Sequence, residues 1–186
     1  MKTSVYIAMS LDGFIARENG GLDWLPGSDG RADAEQEDFG YQAFIESVDV
    51  LVMGRHTFEC VLQSAVWPYG NRKVIVLSSS LNGLPGELAD SVQLRSCPAE
   101  ALYQELQNLG FAHLYVDGGV TIQGFLKSGL IDEITITKIP VLIGSGIPLF
   151  GPLVRDVNLH HIKTTSFVNG FVQSTYRVVK VSQTTK

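Results

Sequence analysis

Short apolar runs of strand-forming residues alternate with helical patterns along this chain, and this alternation restricts the possible folds more than any other feature. Such runs lie at 4–9, 48–53, 73–77 and 114–116. Several of the segments between them carry apolar residues at helical spacing. Strands connected through helices form parallel sheets that are covered on both faces. The sequence therefore predicts one α/β domain over residues 1–186, with its core at about 4–180.

The helical segments are marked by their apolar spacing and by their end residues. We predict helices over 33–47, 98–109 and about 120–127, and a short helix after the segment 54–57. Pro98 stands at the start of the second helix and Gly110 just past its end, which is the usual arrangement of these residue types.

The C-terminal part carries a different pattern, in which apolar and polar residues alternate. Residues 131–139 alternate in this way, and 157–167 with 170–180 form a predicted hairpin around Asn169-Gly170. We expect antiparallel strands near one sheet edge, where an exposed apolar strand favours aggregation. We expect a second copy of the chain to cover that edge in a homodimer. Alternatively, a loop such as 140–156 covers the edge within one chain.

Charge and cysteine content exclude several classes of function. The formal net charge is -5, and no cluster of Lys and Arg occurs, which argues against a nucleic-acid surface. No apolar run reaches the length of a membrane span, and the first residues pass directly into a strand-like segment without a signal pattern. Cys60 and Cys97 have no ligand spacing and are expected as reduced thiols. A cytoplasmic protein without nucleic-acid or membrane partners is expected.

Glycine and polar residues follow four of the predicted strands. These segments are Ser10-Leu11-Asp12-Gly13, Gly54-Arg55-His56-Thr57, Ser78-Ser79 and Asp117-Gly118-Gly119. Ligands of open α/β sheets bind at the carboxyl ends of the strands, where glycine turns and helix N-termini favour anions. Arg55 and the serine hydroxyls suit a phosphate group. Together the four segments fit NADPH as the ligand, although each segment taken alone is also compatible with an ordinary turn or loop.

The order of these motifs adds a more specific indication. The segments Ser10–Ala16, Met53–Glu59, Val76–Ser79 and Asp117-Gly118-Gly119 with Phe125-Leu126 resemble the dihydrofolate reductase superfamily. Within it, Leu130–Ile134 and Gly144–Phe150 resemble the reductase domain of bacterial riboflavin biosynthesis. The resemblance implies a dihydrofolate reductase-like three-layer sandwich, with a mostly parallel central sheet and C-terminal antiparallel strands. No zinc-deaminase signature is present, so a stand-alone reductase is expected.

The resemblance also implies which residues hold the cofactor and the substrate. NADPH contacts are expected from Ala8, Gly54, Arg55, His56, Thr57, Leu77, Ser78, Ser79, Gly118, Gly119, Val120, Thr121 and Gln123. Asp12 and Asp38 are the catalytic candidates: Asp12 for a polar contact to the substrate, and Asp38 for a proton relay or a contact with the substrate ring. An ordinary Asp-Gly turn and a helix N-terminal carboxylate are the alternative interpretations of these two residues. Gly118-Gly119 is expected in a conformation closed to other residues, with a cis peptide bond as one form of it.

Three functions remain open at this stage. The first is an NADPH-dependent reductase of the 5-amino-6-(5-phosphoribosylamino)uracil reductase type, acting on a small heterocyclic substrate. The second is a dihydrofolate or pterin reductase, and the third is a non-catalytic nucleotide-binding protein. A ribose phosphate would favour basic residues in the substrate site, but the candidates Arg17, Arg31 and Lys138 are scattered along the sequence. The substrate is therefore left open.

Overall fold

The computed structural model describes residues 1–26, 37–64, 66–88 and 90–180, whose strands form an eight-stranded sheet and a small two-stranded one. In chain order the strands are β1 (Lys2–Ser10), β2 (Phe14–Ala16), β3 (Val50–Gly54), β4 (Lys73–Leu77), β5 (Val92–Arg95), β6 (His113–Asp117), β7 (Glu133–Ile139), β8 (Ile147–Pro148), β9 (Leu159–Ser166) and β10 (Val172–Val178). The order in the large sheet is β5-β4-β3-β6-β1-β7-β10-β9, and β2 pairs with β8.

The first six strands of that order are mutually parallel, and the last two are antiparallel. The connections through helices explain the parallel part, because a strand can return in the same direction only through a crossover. β9 and β10 form the expected hairpin, with Gly170 at a φ of 82° in the turn. The fold class predicted from the sequence is confirmed.

In the described part of the chain, four helices cover the two faces of the sheet. They are α1 (Tyr41–Glu46), α2 (Arg55–Leu62), α3 (Ala99–Asn108) and α4 (Gly119–Lys127), and a 3-10 turn lies at Gly86–Leu88. α1 and α2 pack on the face that carries Leu51 and Tyr115, hereafter the α1 face. α3 and α4 pack on the opposite face, against Val52 and Val116, hereafter the α4 face. Among the described residues, no helix has both the length and the apolar character needed to cross a membrane.

The pairing between the central strands β1 and β6 is short. Only Lys2, Thr3 and Ser4 pair with β6, whereas β1 pairs with β7 from Ser4 to Ser10. In the described part of the chain, the second half of β1 therefore has no partner on its β6 side. The two strands separate toward their carboxyl ends, and a gap opens in the middle of the sheet.

The helix predicted over 33–47 is wrong at its start. Residues 33–36 lie outside the described residues, and α1 begins only at Tyr41. Phe39 and Gly40 have φ values of 55° and 83°, which are incompatible with a right-handed helix. The acidic and apolar residues before Tyr41 therefore form the entry to the helix, although their spacing resembles a helical turn.

Two strands differ from the sequence-based expectation. β5, with only four residues, is not predicted, because a run of that length has no clear periodicity. The segment 131–139 is expected as an antiparallel or edge strand, and β7 does pair antiparallel with β10. It is not an edge strand, because it also pairs parallel with β1. β9 is the edge strand at this end of the sheet, and all eight of its residues are exposed.

Gly118 begins α4 in a conformation that other residues adopt with difficulty. Its φ is 85°, and a Cβ atom built on it would overlap Oγ1 of Thr57 in α2. The absence of a side chain at Gly118 therefore lets the N-termini of α2 and α4 approach each other. The prediction of a conformation closed to other residues is confirmed at Gly118, whereas the described residues contain no cis peptide bond, so the cis form was wrong.

Replacement of Gly118 by alanine should destabilise the fold by at least about 2 kcal/mol, because the positive φ and the contact with Thr57 both act against a methyl group. Gly124→Ala in the same helix is the matched control, since a Cβ there meets no atom within 4 Å. That control should stabilise the protein by about 0.5–1 kcal/mol. Urea unfolding measures the free energy of unfolding of both variants. An unfolding midpoint of Gly118→Ala equal to that of the wild type would contradict the packing described above.

Candidate functional site

The gap between β1 and β6 lies at the edge of the sheet where the parallel strands end. Ile7 and Ala8 on β1 are partly exposed although the strand is central, because β6 does not cover them. Asp117, the last residue of β6, lies on the other side of the gap. A flat ring can therefore approach the backbone of Ala8 and the carboxyl of Asp117 together.

The carboxyl group of Asp117 is held in an environment that disfavours its charge. Burial raises the pKa of Asp117 to about 6, although the N–H of Gly118 donates to its Oδ1 at 2.8 Å and opposes that effect. Asp117 takes part in none of the ion pairs found in the described part of the chain. A carboxyl group with this pKa can hold a proton close to neutral pH.

Tyrosine rings surround Asp117 on the α1 face. Burial and the negative charge of Asp117 raise the pKa of Tyr41 to about 12 and also raise the pKa values of Tyr69 and Tyr115. The hydroxyl of Tyr115 donates to the backbone oxygen of Tyr6 at 2.8 Å. These phenols stay protonated and form a largely apolar wall beside the carboxyl group.

Two helix N-termini lie next to each other at this edge of the sheet. α2 and α4 begin after Gly54 and Gly118, and neither has a side-chain hydrogen bond that caps its first turn. A Cβ on Gly54 would lie 3.0 Å from Oγ1 of Thr121, so a glycine is also favoured there. Uncapped N–H groups and aligned helix dipoles favour a bound anion. Val120 is 80% exposed and leaves the surface of this site open.

The sequence-predicted residues Arg55 and His56 lie on the exposed side of α2. Nε of Arg55 is 3.6 Å from Glu59, and Nδ1 of His56 is 3.4 Å from the same carboxylate. Both pairs are largely exposed, so they hold the two side chains weakly. Arg55 is therefore available to an anion at the N-terminus of α2.

A shallow groove of about 430 Å³ lies between the ends of β4 and β5. Its lining residues are Leu77, Ser78, Ser79, Arg95, Ser96, Cys97 and Pro98. Oγ of Ser78 accepts hydrogen bonds from the N–H groups of Ser80 and Leu81, which shapes the turn. Arg95 was missed in the sequence analysis because β5 was missed, and it is already paired with Glu105 at 2.9 Å.

Asp12 connects the end of β1 to the loop that precedes β8. Its carboxylate accepts hydrogen bonds from the hydroxyl of Ser10 at 2.6 Å and from the N–H of Gly144 at 2.8 Å. The Ser10 hydrogen bond is the main reason that the pKa of Asp12 lies below its usual value. This geometry keeps Asp12 charged and gives it a role in positioning the loop.

Asp38 and Phe39 form the entry to α1. The carboxylate of Asp38 accepts the N–H groups of Gly40 at 2.8 Å and of Gln42 at 3.1 Å. The backbone oxygen of Phe39 accepts the hydroxyl of Tyr6 at 2.6 Å and Nε2 of Gln173 at 3.1 Å. Side chains from β1 and β10 therefore hold the unusual backbone of this turn.

Gln123 also has a structural partner. Its Nε2 donates to the backbone oxygen atoms of Pro148 at 3.1 Å and of Leu149 at 3.4 Å, so it fixes the segment after β8 against α4. The structure brings Ala8, the starts of α2 and α4, and the groove at Ser78 and Ser79 to one edge of the sheet. Asp117 is the functional candidate that the sequence analysis left out, because its burial is visible only in the fold.

Comparison with known proteins supports a common origin along nearly the whole chain. Residues 2–173 match the family model described as the RibD C-terminal domain. The chain is 36% identical over 168 residues to the uncharacterized protein YwjB of Bacillus subtilis (strain 168), covering 89% of this chain and 92% of that protein.

Two solved structures extend the comparison to the fold. A putative riboflavin biosynthesis protein from Shewanella sp. PV-4 has a TM-score of 0.88 and 41% identity, covering 97% of this chain and 100% of that one. Dihydrofolate reductase from Enterococcus faecalis, complexed with NADP(H) and RAB-propyl, has a TM-score of 0.68 and 18% identity, covering 96% and 97%. This second likeness shows the dihydrofolate reductase-like fold. By its match along residues 2–173, this chain belongs to the RibD C-terminal domain family.

Proposed function

We propose that this protein is an NADPH-dependent reductase that transfers a hydride to a small nitrogen heterocycle, with 5-amino-6-(5-phosphoribosylamino)uracil as the reference substrate. The observation that carries the proposal is the gap between β1 and β6, with the carboxyl of Asp117 on one side and two uncapped helix N-termini beside it. Membership of the RibD C-terminal domain family supports the type of reaction.

The residues at this edge fit a dinucleotide that carries an additional phosphate. The N-termini of α2 and α4, with Gly54, Thr57 and Gly118-Gly119, suit a diphosphate, because they present uncapped N–H groups to it. Arg55 and the groove at Ser78-Ser79 suit the adenosine and its 2′-phosphate. The backbone of Ala8 borders the gap in which a nicotinamide ring would lie.

The chemistry divides between the cofactor and the protein. NADPH, when bound, supplies the hydride, and a reduced heterocycle then needs a proton. We assign the proton to Asp117, since a pKa of about 6 leaves roughly one carboxyl in ten protonated at pH 7. Asp12 and Asp38 are charged and hydrogen-bonded to backbone N–H groups, so their proposed role is to position the loop before β8 and the entry to α1.

Cofactor titration tests the first half of the proposal. NADPH should bind about 10-fold to 100-fold more tightly than NADH, because charge-assisted contacts to the 2′-phosphate contribute about 1.5–3 kcal/mol. Arg55→Ala should remove most of this preference. Arg155→Ala, which deletes the same charge in the loop before β9, should keep it. Fluorescence quenching measures the affinities of all three proteins for NADPH and NADH. Equal affinities of the wild type for the two cofactors would exclude the cofactor assignment.

Turnover separates the remaining functions. NADPH oxidation should be measured with 5-amino-6-(5-phosphoribosylamino)uracil, its phosphate-free form, dihydropterin and dihydrofolate. Oxidation with an aminouracil supports the riboflavin-pathway type of reductase, and oxidation with the pterins alone supports the second candidate. Tight NADPH binding without oxidation of any substrate would support a non-catalytic nucleotide-binding protein and contradict the proposed reaction.

Asp117→Asn should lower kcat by about 10²-fold to 10⁴-fold, because the amide cannot supply a proton. In the wild type, kcat/KM should fall as the pH rises above about 6, where Asp117 loses its proton. The same substitution should stabilise the fold above that pH. The raised pKa of Asp117 favours the folded state only while the group is protonated, and this contribution is lost as the pH rises through about 6.

Urea unfolding at pH 7.5 should show a gain of about 1–3 kcal/mol for Asp117→Asn. Asp156→Asn, in the exposed loop before β9, removes a carboxylate far from the gap and is the control for both measurements. Wild-type kcat in Asp117→Asn, or a pH profile unchanged by the substitution, would assign the proton to another group.

We also propose a cytoplasmic homodimer in which the partner covers β9. All eight residues of this edge strand are exposed, including the apolar Leu159 and Ile162, which favours a partner there. Cys60 and Cys97 are free thiols, which fits the reducing cytoplasm. Light scattering should give twice the 20.3 kDa of the chain, and Ile162→Lys should shift the mass toward the monomer. A wild-type mass near that of one chain at micromolar concentration would reject the dimer.

A further inference from the structure

The hydrogen bonds at the start of β1 fix which of its backbone groups face the gap. The N–H of Lys2 donates at 2.7 Å to a backbone oxygen one residue before β6. The N–H and the backbone oxygen of Thr3 both bond instead to Asp132, on the β7 side. Because these directions alternate along a strand, the backbone groups of Tyr6 and Ala8 point toward β6 and into the gap.

One backbone hydrogen bond of the regular pattern is missing where β1 and β6 separate. Continued beyond Ser4, the pattern would join the backbone oxygen of Tyr6 to the N–H of Gly118. That N–H donates to Oδ1 of Asp117 at 2.8 Å instead. The oxygen of Tyr6 accepts the hydroxyl of Tyr115 at 2.8 Å. Two side chains of β6 therefore satisfy the backbone groups that the missing hydrogen bond would have joined.

The phenol of Tyr115 is held in one place by its surroundings. The residue is only 5% exposed, and its ring contacts Phe44 edge-to-face with ring centres 5.0 Å apart. Phe44 also stacks on the ring of Tyr6 at 4.7 Å. The hydroxyl of Tyr6 is fixed in turn by the backbone oxygen of Phe39 at 2.6 Å. The bond from Tyr115 to β1 is thus built into rigid packing on the α1 face.

This bond acts on the part of β1 that borders the gap. Ala8 lies two residues beyond Tyr6, and on its other side it pairs with Thr137 of β7. The hydroxyl of Tyr115 ties β1 to β6 beyond Ser4, the last residue of β1 that pairs with β6. The distance of the Ala8 backbone from β6, and with it the width of the gap, therefore depends on the Tyr115 hydroxyl.

We propose that Tyr115 is a positioning residue of this reductase, whose hydroxyl sets the place of the Ala8 backbone beside the nicotinamide ring of the cofactor. The inference rests on the proposed reductase function and adds a residue that acts through β1. The diphosphate and the 2′-phosphate are assigned to α2, α4 and the groove at Ser78-Ser79. The effect of the hydroxyl should therefore be confined to the nicotinamide end of the cofactor.

The test compares two ligands that differ in the nicotinamide. Tyr115→Phe deletes the hydroxyl and keeps the ring that contacts Phe44. NADPH and 2′-phospho-ADP-ribose, which lacks the nicotinamide, should be titrated into the wild type and the variant by calorimetry. We expect the variant to bind NADPH about 3-fold to 10-fold more weakly and 2′-phospho-ADP-ribose as tightly as the wild type does. Equal weakening of both ligands, or wild-type affinity for both, would overturn the positioning role.

Tyr103→Phe is the matched control, because it deletes a bond of the same kind at the opposite end of β1. The hydroxyl of Tyr103 donates to the backbone oxygen of Met1 at 3.1 Å. Urea unfolding should show a similar loss of stability in the two variants, since each loses one phenol–backbone hydrogen bond. The control should bind both ligands as the wild type does. A selective loss of NADPH affinity in Tyr103→Phe as well would assign the effect to general loosening of β1 and overturn the proposal.

Hydrogen exchange in the protein without ligands tests the anchoring of β1 itself. The N–H of Ile7 points away from the gap, toward β7, where Ile7 pairs with Ile136. Exchange at this N–H should be at least about 5-fold faster in Tyr115→Phe than in Tyr103→Phe, because only the first variant frees this part of β1. NMR measures the rates residue by residue. Equal rates in the two variants would contradict the anchoring.

The proposed function and the role of Tyr115 fail in different ways. A wild-type protein that binds neither ligand would reject the cofactor assignment and the positioning role with it. Wild-type binding of both ligands without a selective loss in Tyr115→Phe would reject the positioning role alone. A selective loss in Tyr115→Phe, without oxidation of NADPH by any substrate, would retain the positioning of the ring and reject the reaction.

Discussion

The early end of the pairing between β1 and β6 is the feature on which the rest of the site depends. Because β6 leaves β1 after Ser4 and ends at Asp117, the backbone of β1 from Val5 onward lacks a strand neighbour on that side, and the largely buried carboxyl of Asp117 lies beside this gap. The same separation leaves room for α2 and α4 to begin side by side. If the register of Lys2–Ser4 continued, Val116 and Asp117 would pair with Val5 and Tyr6, and the opening beside Asp117 would close.

The position of Asp117 lowers the stability of the folded protein. A buried carboxyl without a cationic partner destabilises the folded protein wherever it is charged, and the tyrosines around it offer little solvation. Ordinary packing would favour an apolar residue or an amide at the end of β6. A destabilising group beside a gap between two central strands is the expected signature of a residue kept for its chemistry.

Local patterns in the sequence were sufficient for some elements and not for others. α3 was predicted closely because Pro98 and Gly110 mark its ends in the sequence itself. The start of α1 was missed because the backbone of Phe39 is held by Tyr6 and Gln173, which are distant in sequence. The sequence shows Asp117 only as part of a glycine motif, since its raised pKa comes from burial between strands that are not adjacent in the chain.

The charges on the two sides of the gap differ in sign. On one side, uncapped helix N-termini and Arg55 favour phosphate groups. On the other, Glu37, Asp38 and Asp117 act on a surface of aromatic rings. A dinucleotide bound in the reverse direction would place its diphosphate among these carboxylates. In the proposed reductase, this separation of charge would therefore favour one direction of the dinucleotide, and it follows from the same opening between β1 and β6.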